Sequence, residues 1–133
     1  WMTSVLILVG KKRRENRRDD MCTKNELNSI LQKLTQIYRS VYGENLVQVI
    51  LYGSYARGDY HTDSDVDVVA IVHGDRATLQ QQLKKVWDSS CELELEYDTI
   101  LSPTVIPYEE FKQYQTILPY YRNISQEGVV ISA

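Results

Sequence analysis

The segment that most constrains the fold spans residues 51–72, LYGSYARGDYHTDSDVDVVAIV. An apolar run that includes Val49, Ile50 and Leu51 stops at Gly53, and a second apolar run begins at Val66 after a polar stretch. This order predicts a strand, a tight turn, a polar loop and a second strand. The first strand is expected to lie in the centre of a sheet, because a nearly continuous apolar run suits a strand that is buried on both faces.

The turn and the start of the second strand carry residues suited to phosphate and metal binding. Gly53 has no Cβ and lets the backbone approach a ligand, while the Ser54 hydroxyl and the N–H groups of a helix starting there suit a phosphate. Asp65 and Asp67 are two residues apart, so on a strand both carboxylates leave the same face. Such a pair can hold one or two Mg²⁺ ions. The segment therefore predicts chemistry on a nucleoside triphosphate.

Gly53 and Ser54, ten intervening residues and then Asp65-x-Asp67 resemble the signature of the DNA polymerase β-like nucleotidyltransferase superfamily. The resemblance is strongest to its small stand-alone members, the minimal nucleotidyltransferases, and extends from about residue 27 to residue 131. Three more residues match their pattern: Arg57, Gly58 and Ser64. The resemblance implies an α/β fold of the polymerase β-like type, a mixed sheet with helices mainly on one face. The alternative interpretation is an ordinary glycine turn followed by a solvated Asp-x-Asp strand cap.

The resemblance also implies an activity. It predicts Mg²⁺-dependent transfer of a nucleoside monophosphate from a nucleoside triphosphate to a hydroxyl acceptor, with release of pyrophosphate. ATP is the expected donor, although no residue in the sequence specifies adenine. Two Mg²⁺ ions are expected at Asp65, Asp67 and a third carboxylate. Four residues are expected to bind the nucleotide: Gly53, Ser54, Arg57 and Ser64. For Arg57 the alternative is an ion pair with Asp59 or Asp63 in its own loop.

Residues 92–101 alternate between apolar and acidic side chains, which predicts a strand. The superfamily resemblance implies a third carboxylate on a strand beside the first two, where it takes the proton of the acceptor hydroxyl. Three acids share one face of this predicted strand: Glu94, Glu96 and Asp98. Asp98 is the preferred candidate, because its context Tyr97-Asp98-Thr99-Ile100 most resembles that strand in the minimal nucleotidyltransferases. The alternative is a solvated acidic face, which is the better interpretation for Glu94.

The remaining segments predict helices that pack on the sheet. A capping box at residues 23–26 begins a helix whose apolar residues recur at helical spacing, and Gly43 ends it. A second helix is predicted over about residues 76–89, with Trp87 among its inward side chains. Shorter helices are predicted after Pro107.

The 133 residues suffice for one domain. Residues 1–20 are expected to be a flexible tail or added upstream sequence, and residues 21–133 a single nucleotidyltransferase domain. That domain holds 9 Lys and Arg against 15 Asp and Glu, so direct binding of nucleic acid is not expected. The apolar run at residues 5–9 is too short to span a membrane. Two cysteines without metal-ligand spacing suit a reducing cytoplasm, which is the expected location.

These 133 residues are expected to hold the nucleotide and metal sites without a further domain that would recognise an acceptor. The acceptor is therefore expected on a protein partner or on a second copy of the chain, as in a homo-oligomer. The resemblance implies a partner of the HEPN toxin type, which this chain would modify as an antitoxin. Two alternatives stay open: an antibiotic-modifying nucleotidyltransferase, and a non-catalytic nucleotide-binding or antitoxin subunit that acts by contact.

Overall fold

The computed structural model describes residues 24–58, 60 and 64–132. The elements in chain order are α1 (Lys24–Tyr42), a 3₁₀ turn (Gly43–Asn45), β1 (Leu46–Tyr52), α2 (Ser54–Arg57), β2 (Val66–Val72), α3 (Arg76–Tyr97), β3 (Leu101–Pro107), α4 (Tyr108–Tyr114), α5 (Pro119–Glu127) and β4 (Val129–Ser132). The predictions for residues 1–20 and for the capping residue Thr23 lie outside this range. Within it, no helix is both long and apolar enough to cross a membrane.

The four strands form one mixed sheet in the order β3-β2-β1-β4. β1 runs antiparallel to β2 and to β4, whereas β2 runs parallel to β3. The predicted interior position of β1 and the predicted mixed α/β sheet are both confirmed. Because β1 and β2 are antiparallel, Tyr52 at the end of β1 lies opposite Asp67 near the start of β2. The turn after β1 is thereby brought to the carboxylate pair.

The sheet is covered by helices on both faces. The long helices α1 and α3 share one buried cluster with Val66, Val68 and Ala70 of β2. The short helices α4 and α5 share the other with Val69 and Ile71. The period-2 pattern predicted for β2 is therefore confirmed, and Asp67 lies on the face of the short helices by the same alternation. The larger helical mass lies on one face, as predicted.

The strand predicted over residues 92–101 is wrong, because α3 continues as far as Tyr97. Leu93 and Tyr97, one helical turn apart, are buried in the cluster that includes α1. Lys33 of α1 donates hydrogen bonds to Glu96 Oε2 at 3.3 Å and to the Tyr97 hydroxyl at 3.1 Å. Asp98 then ends the helix in the left-handed conformation, with a φ of 53°. Packing against α1 thus overrides the alternating pattern.

The third strand of the sheet lies further along, at Leu101–Pro107. It is an edge strand, so Pro103, which has no backbone N–H, does not remove a hydrogen bond between two strands of the sheet. Side chains of α3 bind the backbone of this strand: Glu94 Oε2 accepts from Leu101 N at 2.8 Å, and Trp87 Nε1 donates to Pro103 O at 2.9 Å. Trp87 is therefore half-exposed beside the strand, and its predicted inward position is wrong.

Candidate active site

The turn after β1 touches a carboxylate of β2. Gly53 adopts a φ of 79° and a ψ of −157°, and its carbonyl accepts hydrogen bonds from Ala56 N and Arg57 N at 3.1 Å each. A Cβ at Gly53 would overlap Oδ2 of Asp67 and lie 3.2 Å from its Cγ. Glycine is needed here both for the backbone conformation and for this close approach. The predicted phosphate turn and the predicted metal ligand are thus adjacent in space.

Asp65 and Asp67 are both partly buried at the start of β2. Burial raises the pKa of Asp67 above its ordinary value, the negative charge of Asp65 raises that pKa further, and the charge of Arg57 opposes the shift. Ser102 on β3 donates a hydrogen bond to Asp65 Oδ2 at 3.3 Å. Two mutually repelling carboxylates in a partly desolvated position are stabilised by a cation, and Mg²⁺ commonly takes one or two carboxylates together with substrate phosphates. The pair therefore fits a divalent cation.

Arg57 is the one positively charged residue among the four predicted nucleotide-binding residues. Its Nη1 lies 3.6 Å from Glu127 Oε1, and both side chains are half-exposed. Its positive charge lowers the pKa of Asp67, against the larger effects of burial and Asp65. The alternative pairing with Asp59 or Asp63 falls on residues outside the described ones. Ser64 lies partly buried directly before Asp65, and Ser54 begins α2.

The structure does not supply the predicted third carboxylate from a strand. Ser102 is the β3 residue in register with Asp67, and β3 itself carries no acid. Of the three candidates, Glu94 and Glu96 belong to α3, where they bind Leu101 N and Lys33 respectively. Asp98 lies at the end of α3 and not on a strand. Asp98 therefore lacks the strand position on which its selection was based, and its role as the third carboxylate stays a prediction.

A search of the described part of the chain finds no cluster of three or more His, Cys, Asp or Glu that could hold a metal. The carboxylate pair of β2 would therefore depend on the substrate's phosphates, or on groups elsewhere in the chain, to complete the coordination of an ion.

Tyr52 lies opposite Asp67 in the pairing of β1 with β2, and it contacts Tyr120 of α5. The hydroxyls of Tyr52 and Tyr120 are 2.9 Å apart, and their rings meet edge to face at 5.9 Å. Burial, followed by the hydrogen bond between the Tyr52 and Tyr120 hydroxyls, raises the pKa of Tyr52, so this phenol keeps its proton at neutral pH. The alternation of β1 carried the signal for Tyr52, since it shares the face of Ile50 two residues earlier.

Comparisons with known proteins find relatives of this chain. A family model described as "Nucleotidyltransferase domain" matches residues 27–131. A Methanocaldococcus jannaschii protein named "Putative protein adenylyltransferase" is 35% identical over 80 residues, which cover 60% of this chain and 79% of that protein. A second M. jannaschii protein of the same name is 28% identical over 101 residues, covering 76% of this chain and 93% of that protein.

A similar solved structure, described as a "toxin-antitoxin with AMP-PNP", shares 18% sequence identity and a TM-score of 0.48, covering 80% of this chain and 71% of that chain.

The family match spans most of the chain, from within α1 to within β4. It contains the Gly53 turn, both carboxylates of β2 and all of the sheet's first three strands. The resemblance inferred from the sequence is therefore confirmed by an independent comparison. This chain belongs to the nucleotidyltransferase domain family, as a minimal nucleotidyltransferase of the DNA polymerase β-like superfamily.

Proposed function

We propose that this nucleotidyltransferase moves AMP from ATP to a hydroxyl group on a protein in a Mg²⁺-dependent reaction. The observation that carries the proposal is the contact between the Gly53 turn and Asp67, since a glycine turn is suited to a phosphate and a carboxylate is suited to a cation. The names of the two M. jannaschii relatives, which describe protein adenylyltransferases, support ATP as donor and a protein as acceptor.

The residues of the chain divide between metal and nucleotide in this proposal. Asp65 and Asp67 would hold Mg²⁺, which supplies charge stabilisation for the triphosphate and for the departing pyrophosphate. Gly53 and Ser54 bind and orient the triphosphate, and the Arg57 guanidinium donates to its oxygens. Ser64 adds a hydroxyl directly before the carboxylate pair. Catalysis by this set consists mainly of positioning and electrostatic stabilisation.

The proposed reaction needs no reactant besides ATP and the acceptor hydroxyl. The acceptor oxygen attacks the α-phosphorus, the bond from that phosphorus to the bridging oxygen of pyrophosphate breaks, and one proton leaves the acceptor hydroxyl. Tyr52 is not the group that takes this proton, because its raised pKa keeps it protonated. The Tyr52 hydroxyl instead shares a hydrogen bond with the Tyr120 hydroxyl. Asp98 remains the proposed base, and a substitution tests this below.

The biological role that we propose is that of an antitoxin which modifies a HEPN-type toxin in the cytoplasm. The sequence resemblance to minimal nucleotidyltransferases supports this role. The contact-only alternative makes a different prediction. A catalytic antitoxin loses neutralisation when Asp65 and Asp67 are replaced by Asn, whereas a contact antitoxin retains it.

The experiment that tests the activity is transfer of label from α-phosphate-labelled ATP, with Mg²⁺, to proteins and RNA of the source organism's lysate. We expect a labelled protein band that disappears with a metal chelator and weakens by at least about 100-fold in Asp67→Asn. Glu109→Gln is the matched control, since Glu109 is an exposed acid on α4. Equal labelling by the wild-type protein and Asp67→Asn would contradict the metal assignment, and label confined to RNA would contradict the protein acceptor.

A further inference from the structure

The second half of α3 exposes a line of apolar side chains. Trp87, Cys91 and Leu95 follow one another at intervals of four residues and therefore lie along one side of the helix. Trp87 is 47% exposed and Leu95 is 83% exposed, and the Cys91 thiol is also exposed. Single exposed apolar residues are common, but an aligned set on one helix is typical of a surface that binds another protein.

A groove lies beside this line, between α3 and β3. Its volume is about 390 Å³, and Trp87 and Cys91 of α3 line one side while residues 101–104 of β3 line the other. Ser102 is among these residues and also donates the hydrogen bond to Asp65. Ser102 thus connects the groove to the carboxylate pair. A partner bound along the groove would lie next to the candidate active site.

The backbone hydrogen bonds of β3 limit the kind of partner that can bind in the groove. Pro103 has no N–H, its carbonyl accepts from Trp87, and Leu101 N donates to Glu94. Edge strands blocked by proline and by side-chain hydrogen bonds do not readily accept an added strand. A partner must therefore bind through side chains packed on α3 and in the groove. A helix with one apolar side meets this requirement, as in other helix-in-groove complexes.

The acidic side chains on α3 indicate the charge of the partner helix. Asp88, Glu92 and Glu96 each follow a member of the apolar line by one residue, so they form a parallel acidic line along α3. Asp88 and Glu92 are exposed, and Glu96 contacts Lys33. A second copy of the chain would bring an acidic line against an acidic protein surface, which disfavours association. A partner with Lys or Arg beside its apolar residues is complementary to both lines.

We propose that the α3 docking face, formed by Trp87, Cys91 and Leu95 with Asp88 and Glu92, binds a positively charged amphipathic helix of a partner protein. The inference that this helix belongs to the protein carrying the acceptor hydroxyl rests on the proposed function. Binding itself does not require the transfer reaction.

A fluorescence titration tests the docking face on the full chain. The sequence contains two tryptophans, so the Trp1→Phe protein reports on Trp87 alone. The probe is a synthetic helical peptide of Leu and Lys, and its matched control carries Glu in place of every Lys. We expect a saturable blue shift with the Lys peptide, and affinity at least about tenfold weaker for the Glu peptide. The double variant Asp88→Lys/Glu92→Lys should reverse this preference.

Two further variants separate the docking face from general effects. Leu95→Asp should weaken binding of the Lys peptide by at least about tenfold, whereas Ile117→Asp should not, because Ile117 is similarly exposed but follows α4. Asp67→Asn should bind the peptide normally even if nucleotide transfer fails, so the two proposals can fail separately. Equal binding of both peptides, or equal loss in Leu95→Asp and Ile117→Asp, overturns the proposal. A dimer in sedimentation that Leu95→Asp dissociates also overturns it, since the occupant is then a second copy.

Discussion

Replacing Gly53 by Ala should damage both the fold and the site, through two separate effects. The φ of 79° and ψ of −157° at Gly53 lie in a region that is nearly exclusive to glycine, and forcing another residue into it costs about 1–3 kcal/mol. At about 4 °C per kcal/mol for a domain of this size, the melting temperature should fall by about 4–12 °C.

The second effect acts on the carboxylate. The new Cβ would overlap Oδ2 of Asp67, so this side chain must retreat by about 1 Å to restore an ordinary contact. A displacement of about 1 Å at a reacting group can lower a rate by about 100-fold. We therefore expect kcat for AMP transfer to fall by about 100-fold in protein that is still folded at the assay temperature.

Gly43→Ala is the matched control for this substitution. Gly43 also has a positive φ, 61°, but nothing lies within 4 Å of a Cβ built there. The cost of the left-handed conformation, about 1–2 kcal/mol, should lower the melting temperature of this variant without changing its activity. Thermal unfolding and nucleotide transfer are measured on all three proteins. A folded Gly53→Ala protein whose kcat is within about twofold of the original would refute the reasoning, because the close contact with Asp67 would then be unnecessary.

Three other substitutions test separate parts of the structure. Burial and the charge of Asp65 raise the pKa of Asp67 in the folded protein above its value in the unfolded chain. Ionised Asp67 therefore destabilises the metal-free folded protein at a pH above the folded-state pKa. The effect vanishes below about pH 3.9, where Asp67 is protonated in both states. Asp67→Asn should therefore raise the melting temperature of metal-free protein at neutral pH, with a gain that shrinks as the pH falls; calorimetry showing no gain at neutral pH contradicts this assignment. Asp98→Asn should lower kcat by about 100-fold or more if Asp98 is the base, and unchanged kinetics would leave it only a helix-ending role. Tyr38 is buried and donates to Thr104 O at 2.7 Å, so Tyr38→Phe should lose about 1 kcal/mol of unfolding free energy in urea, and equal stability would show that the hydrogen bond contributes nothing.

The site elements that could be predicted from the sequence follow from local rules. Gly53 ends an apolar run and begins a polar one, and the spacing of Asp65 and Asp67 by two residues places both carboxylates on one strand face. The alternation of β2 then assigned Val66 and Val68 to the opposite face, as the buried clusters confirm. No long-range information was needed for these inferences, because strand geometry alone relates the residues.

The error at residues 92–101 shows where local rules fail. Glu92 to Asp98 alternate perfectly, but Leu and Glu are strong helix formers and this stretch holds no β-branched residue. Leu93 and Tyr97 serve equally well as one face of a helix, because they are four residues apart. The β-branched Thr104, Val105 and Ile106 carried the signal for the true strand, which the neighbouring prolines obscured.

The sequence by itself determined the family, the order of turn and strand around Gly53, and the alternation of β2, because each depends on residues close in the chain. Only the tertiary structure decided where α3 ends and β3 begins within residues 92–107. Leu93 and Tyr97, four residues apart, would lie on one face of either a strand or a helix, and their packing against α1 selects the helix. The tertiary structure also decided which groups surround the carboxylates. Ser102 reaches Asp65, and Tyr120 reaches Tyr52, through contacts between elements far apart in sequence, which no local pattern encodes.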